Sequence, residues 1–195
     1  MPGAARRAGW RGGSVHPHCS DMAMVRPERA EYYMGIAMAV RKRANCLGSR
    51  VGAILVLDDR IIATGYNGTP SGFINCDMGG CDRCADRLRY QPGQAYDLCI
   101  CVHAEQNALL SAARFGIAVA GATCYTTTRP CLGCTKELLQ AMVKEVRYLH
   151  DWHHPEKDQR LLYEKLQDHF ANGCHAVDMP DPEAHWALSR NRPPE

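Results

Sequence analysis

The alternation of apolar and polar positions divides the chain into helical and extended segments. In residues 27–44 the apolar positions recur at helical spacing and predict an amphipathic helix. Two β-branched runs, 51–57 and 61–65, flank Asp58 and Asp59. Short extended runs joined by two turn-forming residues predict a β-hairpin.

The second half of the chain alternates between segments with the helical period of 3.6 residues and segments with the strand period of two. We expect helices over 103–115, 131–142 and 156–171, strands over 122–128 and 145–150, and a short last strand over 175–179. A hairpin followed by repeated helix–strand units predicts a mixed sheet of about five strands with helices on both faces. The predicted fold class is therefore α/β, a three-layer α/β/α sandwich.

Composition indicates one folded domain with extensions. The 195 residues are 46% hydrophobic and 23% charged, which is typical of a globular protein. Residues 1–25 are rich in Gly, Arg and Ala and have no continuous apolar segment, so we expect a disordered tail or a translated leader rather than a secretory signal. We place the domain at 26–180, with a Cys-rich insert at 69–101, and a C-terminal tail at 181–195.

Charge and cysteine content narrow the function classes. A net charge of +2 argues against a dedicated nucleic-acid binder. The chain has no apolar run of the length that spans a membrane. Eleven cysteines, six of them in C-x-x-C and C-x-C pairs, without an export signal, indicate metal binding in a reducing compartment. We therefore expect a cytoplasmic metalloprotein.

The candidate chemistry lies in two motifs at predicted helix starts. The first contains His103 and Glu105, and the second contains Pro130, Cys131 and Cys134. One imidazole and two thiolates are the three protein ligands of a catalytic zinc with one open position. Zinc lowers the pKa of bound water from about 16 to about 7, and a neighbouring carboxylate can move protons without binding the metal. An H-x-E followed by a P-C-x-x-C predicts a zinc-dependent deaminase with Glu105 as its catalytic residue.

Each motif has a simpler interpretation when it stands alone. An H-A-E sequence is common on a solvated helix face, and a C-x-x-C can be a structural zinc site or a redox pair. The two motifs in this order favour the deaminase. The alternative of another class is a non-catalytic, zinc-stabilised module that binds nucleotides or single-stranded nucleic acid. An intact Glu105 argues against it, because such a module needs no proton carrier.

With these motifs, residues 29–178 resemble the deoxycytidylate (dCMP) deaminase family. The resemblance rests on VGAILV, ATGYNGTPSG, CVHAEQNALLSAARFG and RPCLGC, and on a Cys-rich insert similar to that of fungal and phage members. It implies a cytidine-deaminase-like fold and hydrolysis of dCMP to dUMP and ammonia in pyrimidine deoxynucleotide metabolism. The alternative enzyme acts on a modified cytidylate or another nucleobase or nucleoside. Arg129, His153 and His154 are basic residues available near the pocket for a 5′-phosphate.

The resemblance also implies binding and regulatory roles. Asn67 would bind the sugar hydroxyl, and Gly68 would allow close approach of the backbone. Arg114 matches a position at a subunit contact linked to allostery, although it could equally be an exposed arginine at a helix end. The family implies a hexamer that dCTP activates and dTTP inhibits, with Mg²⁺ accompanying the triphosphate effector.

Six further cysteines form a pool of ligands for a second, structural zinc: Cys46, Cys76, Cys81, Cys84, Cys99 and Cys101. Resemblance to phage members points first to Cys46, Cys76 and Cys101, with a fourth ligand from the other three. The six thiolates could instead hold two zincs through shared sulfurs, or some could be small buried hydrophobes. We expect the last of these roles for Cys19, Cys124 and Cys174.

Overall fold

The computed structural model describes residues 26–86, 89–90, 95–154 and 156–187. The helices within these ranges are α1 (Arg29–Arg41), α2 (Asp82–Ala85), α3 (Ala104–Arg114), α4 (Leu132–Gln140) and α5 (Lys157–Gln167). The strands are β1 (Gly52–Leu57), β2 (Arg60–Tyr66), β3 (Thr123–Thr128), β4 (Glu145–His150) and β5 (Cys174–Ala176). None of the helices in this part of the chain is both long and apolar enough to cross a membrane.

The five strands form one mixed sheet in the order β2-β1-β3-β4-β5. Strand β1 is antiparallel to both β2 and β3, whereas β3, β4 and β5 are parallel. Asp58 and Asp59 join β1 to β2 with φ values of 48° and 62°. Positive φ at both residues is the geometry of a two-residue type I′ turn, whose twist suits a hairpin. The predicted hairpin and mixed sheet are confirmed.

Helices cover both faces of the sheet, because its inner strands are apolar on both sides. Ile54 and Val56 of β1 point to one face and pack with Met34 and Ala37 of α1. Residues of α3 and α4 pack on the other face, together with Phe170, which follows α5. The three-layer α/β/α sandwich predicted from the sequence is confirmed.

Small residues bring helix α3 close to β2. Ala104, Ala108 and Ala112 are buried on the helix face that meets the sheet. A β-carbon at Gly65 of β2 would overlap main-chain atoms of Ala104 and Ala108. Backbone contact therefore fixes the distance from α3 to the sheet, and with it the position of the H-x-E motif at the start of the helix.

Residues 181–187 pack on the domain through a buried ion pair. Asp181 accepts two hydrogen bonds of 2.7 Å from the guanidinium of Arg41, and its Oδ2 also lies 2.6 Å from Nε2 of His150. The Trp186 ring stacks on the guanidinium groups of Arg41 and Arg50. Hydrogen bonding to Arg41 holds the pKa of Asp181 well below its usual range. The Asp181 carboxylate is therefore charged in the folded protein at neutral pH.

Candidate active site

The two sequence motifs lie at the N-termini of two helices on the same face of the sheet. His103 is the N-cap residue of α3, and Cys131 is the N-cap residue of α4. The main-chain N–H of His103 donates to Oε1 of Gln106 at 2.9 Å, which fixes the start of α3. Cys134 lies in the first turn of α4 and is buried. Both helix N-termini direct partial positive charge at the cluster.

The three side chains fit a tetrahedral zinc ion. Nδ1 of His103 lies 3.4 Å from Sγ of Cys131 and 3.3 Å from Sγ of Cys134. Bonds of about 2.3 Å to sulfur and 2.0–2.1 Å to nitrogen at the tetrahedral angle separate the two donor atoms by about 3.5 Å. Among the described residues this group has three donor atoms, all within 4.8 Å of one another. Three ligands leave one coordination position for water or substrate.

The electrostatic environment favours the metal-binding form of Cys131. Contact with Cys134, and then with the His103 imidazole, lowers the pKa of the Cys131 thiol well below its usual value. A lowered pKa increases the thiolate fraction at neutral pH, and the thiolate is the form that binds metal.

Glu105 lies beside the cluster and is 4% exposed. Its Oε1 lies 3.1 Å from Oγ1 of Thr126, whose single hydroxyl hydrogen is shared between this oxygen and the carbonyl oxygen of Thr128, also at 3.1 Å. Its Oε2 lies 3.5 Å from Sγ of Cys134. Burial raises the pKa of Glu105, so the carboxyl group holds a proton more readily than an exposed glutamate does. Sequence analysis missed Thr126, although the run of three threonines in the predicted strand 122–128 was a usable signal.

Helix α5 supports the P-C-x-x-C motif from behind. The Tyr163 hydroxyl donates to the carbonyl oxygen of Pro130 at 2.6 Å. Nε of Arg129 donates to Oε1 of Gln167 at 2.8 Å, and the guanidinium also pairs with Asp151 at 3.2 Å. Arg129 therefore already has protein partners, which makes it a weaker candidate for the 5′-phosphate than its position in the sequence suggested.

The GYNG loop lies next to the strand segment that leads into His103. Gly68 and Val102 exchange main-chain hydrogen bonds of 3.2 and 2.9 Å. Oδ1 of Asn67 accepts from the N–H of Val51, and its Nδ2 donates to the carbonyl of Ser49, both at 2.8 Å. Asn67 thus fixes the loop. The residue is 6% exposed, and its role in binding a sugar hydroxyl stays a prediction.

Arg114 is the last residue of α3 and is exposed, with its guanidinium 5.8 Å from the ring centre of Phe115. Leu110 and Phe115 are 59% and 70% exposed. The structure therefore places Arg114 beside exposed apolar side chains, away from the zinc ligands. Its role in a subunit contact stays a prediction.

The six cysteines of the predicted second site lie together, separate from the first. They form two groups of four, and within each group all sulfur atoms lie within 4.8 Å of one another. The first group is Cys46, Cys76, Cys84 and Cys101, and the second is Cys81, Cys84, Cys99 and Cys101. The first group contains the three ligands expected from the phage resemblance, with Cys84 as the fourth. Cys124 lies in the hydrophobic core, Cys174 packs against that core, and Cys19 falls outside the described residues.

Comparisons with known proteins agree with this geometry. The model of the "Cytidine and deoxycytidylate deaminase zinc-binding region" matches residues 27–150. The chain is 46% identical over 123 residues to a deoxycytidylate deaminase of Schizosaccharomyces pombe, covering 63% of this chain and 37% of that protein. It is 39% identical over 133 residues to the deoxycytidylate deaminase of Mycobacterium phage D29, covering 64% and 97% of the two chains.

A solved structure shares the fold. The dCMP deaminase of cyanophage S-TIM5, in complex with dCMP and dUMP, is 31% identical with a TM-score of 0.58, over 78% of this chain and 98% of that one. By contrast, the chain spans only about two fifths of the fungal relatives that it matches, 37% of the S. pombe protein and 43% of that of Saccharomyces cerevisiae.

Proposed function

The chain belongs to the cytidine and deoxycytidylate deaminase family, whose zinc-binding region its residues 27–150 match, and on that premise we propose that it hydrolyses dCMP to dUMP and ammonia. The observation that carries the proposal is the buried Glu105 beside three zinc-compatible side chains. A phage deoxycytidylate deaminase that matches along 97% of its own length supports the choice of substrate.

His103, Cys131 and Cys134 would hold the zinc ion. When bound, zinc supplies a Lewis acid that makes water a nucleophile near neutral pH. Glu105 is the proton carrier: its carboxylate takes one proton from the attacking water and delivers it to the ring nitrogen of cytosine. It then takes the second proton from the added hydroxyl group and delivers it to the departing amine. Water adds to the base and ammonia leaves, so dCMP and water give dUMP and ammonia.

Thr126 positions the proton carrier. Its hydroxyl hydrogen bond to Oε1 of Glu105 holds one carboxylate oxygen, which leaves Oε2 on the side of Cys134. The raised pKa of Glu105 suits a group that must keep a proton between two transfers.

The nucleotide would lie against the GYNG loop. Asn67 would hydrogen-bond the sugar hydroxyl, and Gly68 would admit the substrate close to the backbone. His153 and His154 would face the 5′-phosphate, and His153 would have to exchange its contact with Asp151 at 2.9 Å for the phosphate. In this proposal the deaminase domain covers 26–180, and residues 181–187 extend it by packing on it through Asp181 and Trp186. The product dUMP would supply pyrimidine deoxynucleotide metabolism in the cytoplasm.

Regulation and assembly complete the proposal. The exposed Leu110 and Phe115 beside Arg114 support a subunit contact at the end of α3. In the proposed hexamer this contact would carry activation by dCTP and inhibition by dTTP, with Mg²⁺ bound to the triphosphate.

Replacing Glu105 with glutamine tests the proposed mechanism. Glu105→Gln keeps the side-chain volume and one oxygen acceptor but cannot carry a proton. Proton transfer by a positioned side chain contributes about 100- to 10,000-fold, and Glu105 serves several transfers, so we expect a loss near the upper end. Glu31→Gln, the same change on the opposite face of the sheet, should leave both activity and zinc content unchanged. A Glu105→Gln protein with full zinc and near-normal turnover would refute the role of Glu105.

A substrate panel tests the proposed nucleotide. Ammonia release is measured with dCMP, CMP, deoxycytidine and 5-methyl-dCMP in parallel. We expect kcat/KM for dCMP to exceed that for deoxycytidine by at least about tenfold, equivalent to about 1.4 kcal/mol of phosphate contact. Preference for the nucleoside or for the methylated nucleotide would favour the alternative deaminase. No ammonia from any of the four, with zinc bound, would favour the non-catalytic module.

A further inference from the structure

Six cysteines outside the proposed active site are arranged as two overlapping groups of four that share Cys84 and Cys101. We propose that these six residues bind a binuclear zinc–thiolate cluster in which the sulfurs of Cys84 and Cys101 bridge the two ions. The proposal does not depend on the substrate of the enzyme, because none of the six side chains belongs to the proposed catalytic group.

The sulfur–sulfur distances fit zinc. Sγ of Cys84 lies 3.9 Å from that of Cys46 and 3.7 Å from that of Cys99, and Sγ of Cys81 lies 3.9 Å from that of Cys99. Two zinc–sulfur bonds of about 2.3 Å at the tetrahedral angle separate the sulfurs by about 3.8 Å. A disulfide needs a separation of about 2.05 Å, so these cysteines are thiols or thiolates. An iron–sulfur cube would hold its cysteine sulfurs farther apart, because inorganic sulfide lies between the metal ions.

The number of ligands matches two ions. Each tetrahedral zinc needs four donors. Cys46 and Cys76 belong only to the first group, and Cys81 and Cys99 belong only to the second. Two terminal sulfurs and two shared sulfurs therefore complete each site and leave none of the six cysteines over. A single zinc in either group would leave two thiols beside it without a ligand role.

Main-chain N–H groups donate hydrogen bonds to two sulfurs of the first group. The N–H of Leu47 donates to Sγ of Cys76, and the N–H of Gly48 donates to Sγ of Cys46, both at 3.3 Å. Such bonds stabilise negative charge on sulfur, which metal binding requires. Two zinc ions and six thiolates carry a net charge of −2, so donors of this kind offset part of the cost of burying the cluster.

The cluster would brace the segments on either side of the substrate loop. Cys46 follows Asn45, whose Oδ1 accepts from the N–H of Thr69 and whose Nδ2 donates to Oδ1 of Asn75. Cys101 precedes Val102, which pairs with Gly68. Metal bonds at Cys46 and Cys101 would therefore hold in place the neighbours of these cysteines, Asn45 and Val102, which contact Thr69 and Gly68.

The first test is a zinc count on full-length protein prepared without chelator. We expect three zincs per chain in the unmodified protein. Two should remain in Cys131→Ala, which loses only the catalytic ion. Cys84→Ser removes a bridging sulfur and should lower the count by at least one, whereas Cys174→Ser, a change outside the cluster, should leave it at three. Two zincs in the unmodified protein and one in Cys131→Ala would mean a single zinc in the cluster. That result would overturn the proposal without affecting the catalytic assignment.

A second test detects the shared sulfurs directly and needs no cluster variant to fold. Zinc is exchanged for cadmium-113, and its NMR spectrum is recorded on the Cys131→Ala protein. We expect two resonances in the range of sulfur-rich sites, each split by scalar coupling to the other through the bridging thiolates. Two uncoupled resonances would show two separate sites, and a single resonance would show one ion. Either result would refute the binuclear cluster.

Discussion

Replacing Asp181 with asparagine should strongly destabilise the protein, because it leaves the buried guanidinium of Arg41 without its counter-charge. The side chain of Arg41 is 0% exposed and that of Asp181 is 3% exposed, and two hydrogen bonds of 2.7 Å join them. Removing one partner of such a pair costs about 3–5 kcal/mol. Glu183 is 3.3 Å from the same guanidinium and is 25% exposed, so it offers partial compensation. We therefore expect the free energy of unfolding to fall by about 3 kcal/mol.

Urea unfolding of zinc-replete protein, followed by circular dichroism and tryptophan fluorescence, measures this loss. The midpoint should fall while the slope stays constant. Asp59→Asn is the matched control, since the same change at an ion pair exposed by 79% and 48% should cost less than about 1 kcal/mol. Adding Arg41→Met to Asp181→Asn should recover stability, because it removes the unpaired charge. Equal costs for Asp181→Asn and Asp59→Asn would refute the assignment of a buried, charge-dependent contact.

Further predictions concern acid stability, helix placement and the proton carrier. The pKa of Asp181 is lowered in the folded state, so its contribution to the free energy of unfolding is complete above the unfolded pKa of about 4 and is lost as pH falls below that value. The stability difference between the unmodified protein and Asp181→Asn should therefore shrink as pH falls below about 4. Gly65→Ala should cost about 1–3 kcal/mol and reduce turnover by displacing α3, whereas Gly35→Ala, which meets no atom within 4 Å, should stabilise α1; equal effects of the two would contradict the close packing. Thr126→Val should reduce kcat by about tenfold with zinc retained, about the value of one lost hydrogen bond, and an unchanged kcat would show that Thr126 does not position Glu105.

Local patterns in the sequence were sufficient to predict the layers of the fold. The β-branched runs around Asp58 and Asp59 predicted β1 and β2 closely, because the two-residue turn pairs Leu57 with Arg60. The shift of register between Leu55 and Val56 was not predicted. The last strand was predicted at 175–179 and lies at Cys174–Ala176, since a three-residue edge strand has too few residues for a clear period. The short helix Asp82–Ala85 was not predicted, because it lies among the clustered cysteines in a segment without apolar periodicity.

Contacts between residues distant in sequence could not be predicted. The pair of Arg41 and Asp181 spans 140 positions, and each residue taken alone resembles a solvated charge. The hydrogen bond from Thr126 to Glu105 depends on how closely α3 approaches β3, which periodicity does not give. The spacing of the cysteines indicated a pool of ligands. Their division into two groups that share two members depends on where the fold places each of the six cysteines.

The close packing of α3 on β2 through glycine and alanine has a consequence for redesign of the protein. Ala104, Ala108 and Gly65 meet through backbone, so no side chain at this contact can be enlarged or trimmed to shift the helix by a small amount. In libraries of variants selected for new substrates, substitutions at these positions should therefore disrupt the packing and should not be selected. Useful variation should accumulate in the loops around the pocket, where a change of size alters the bound molecule while the metal ligands stay in place.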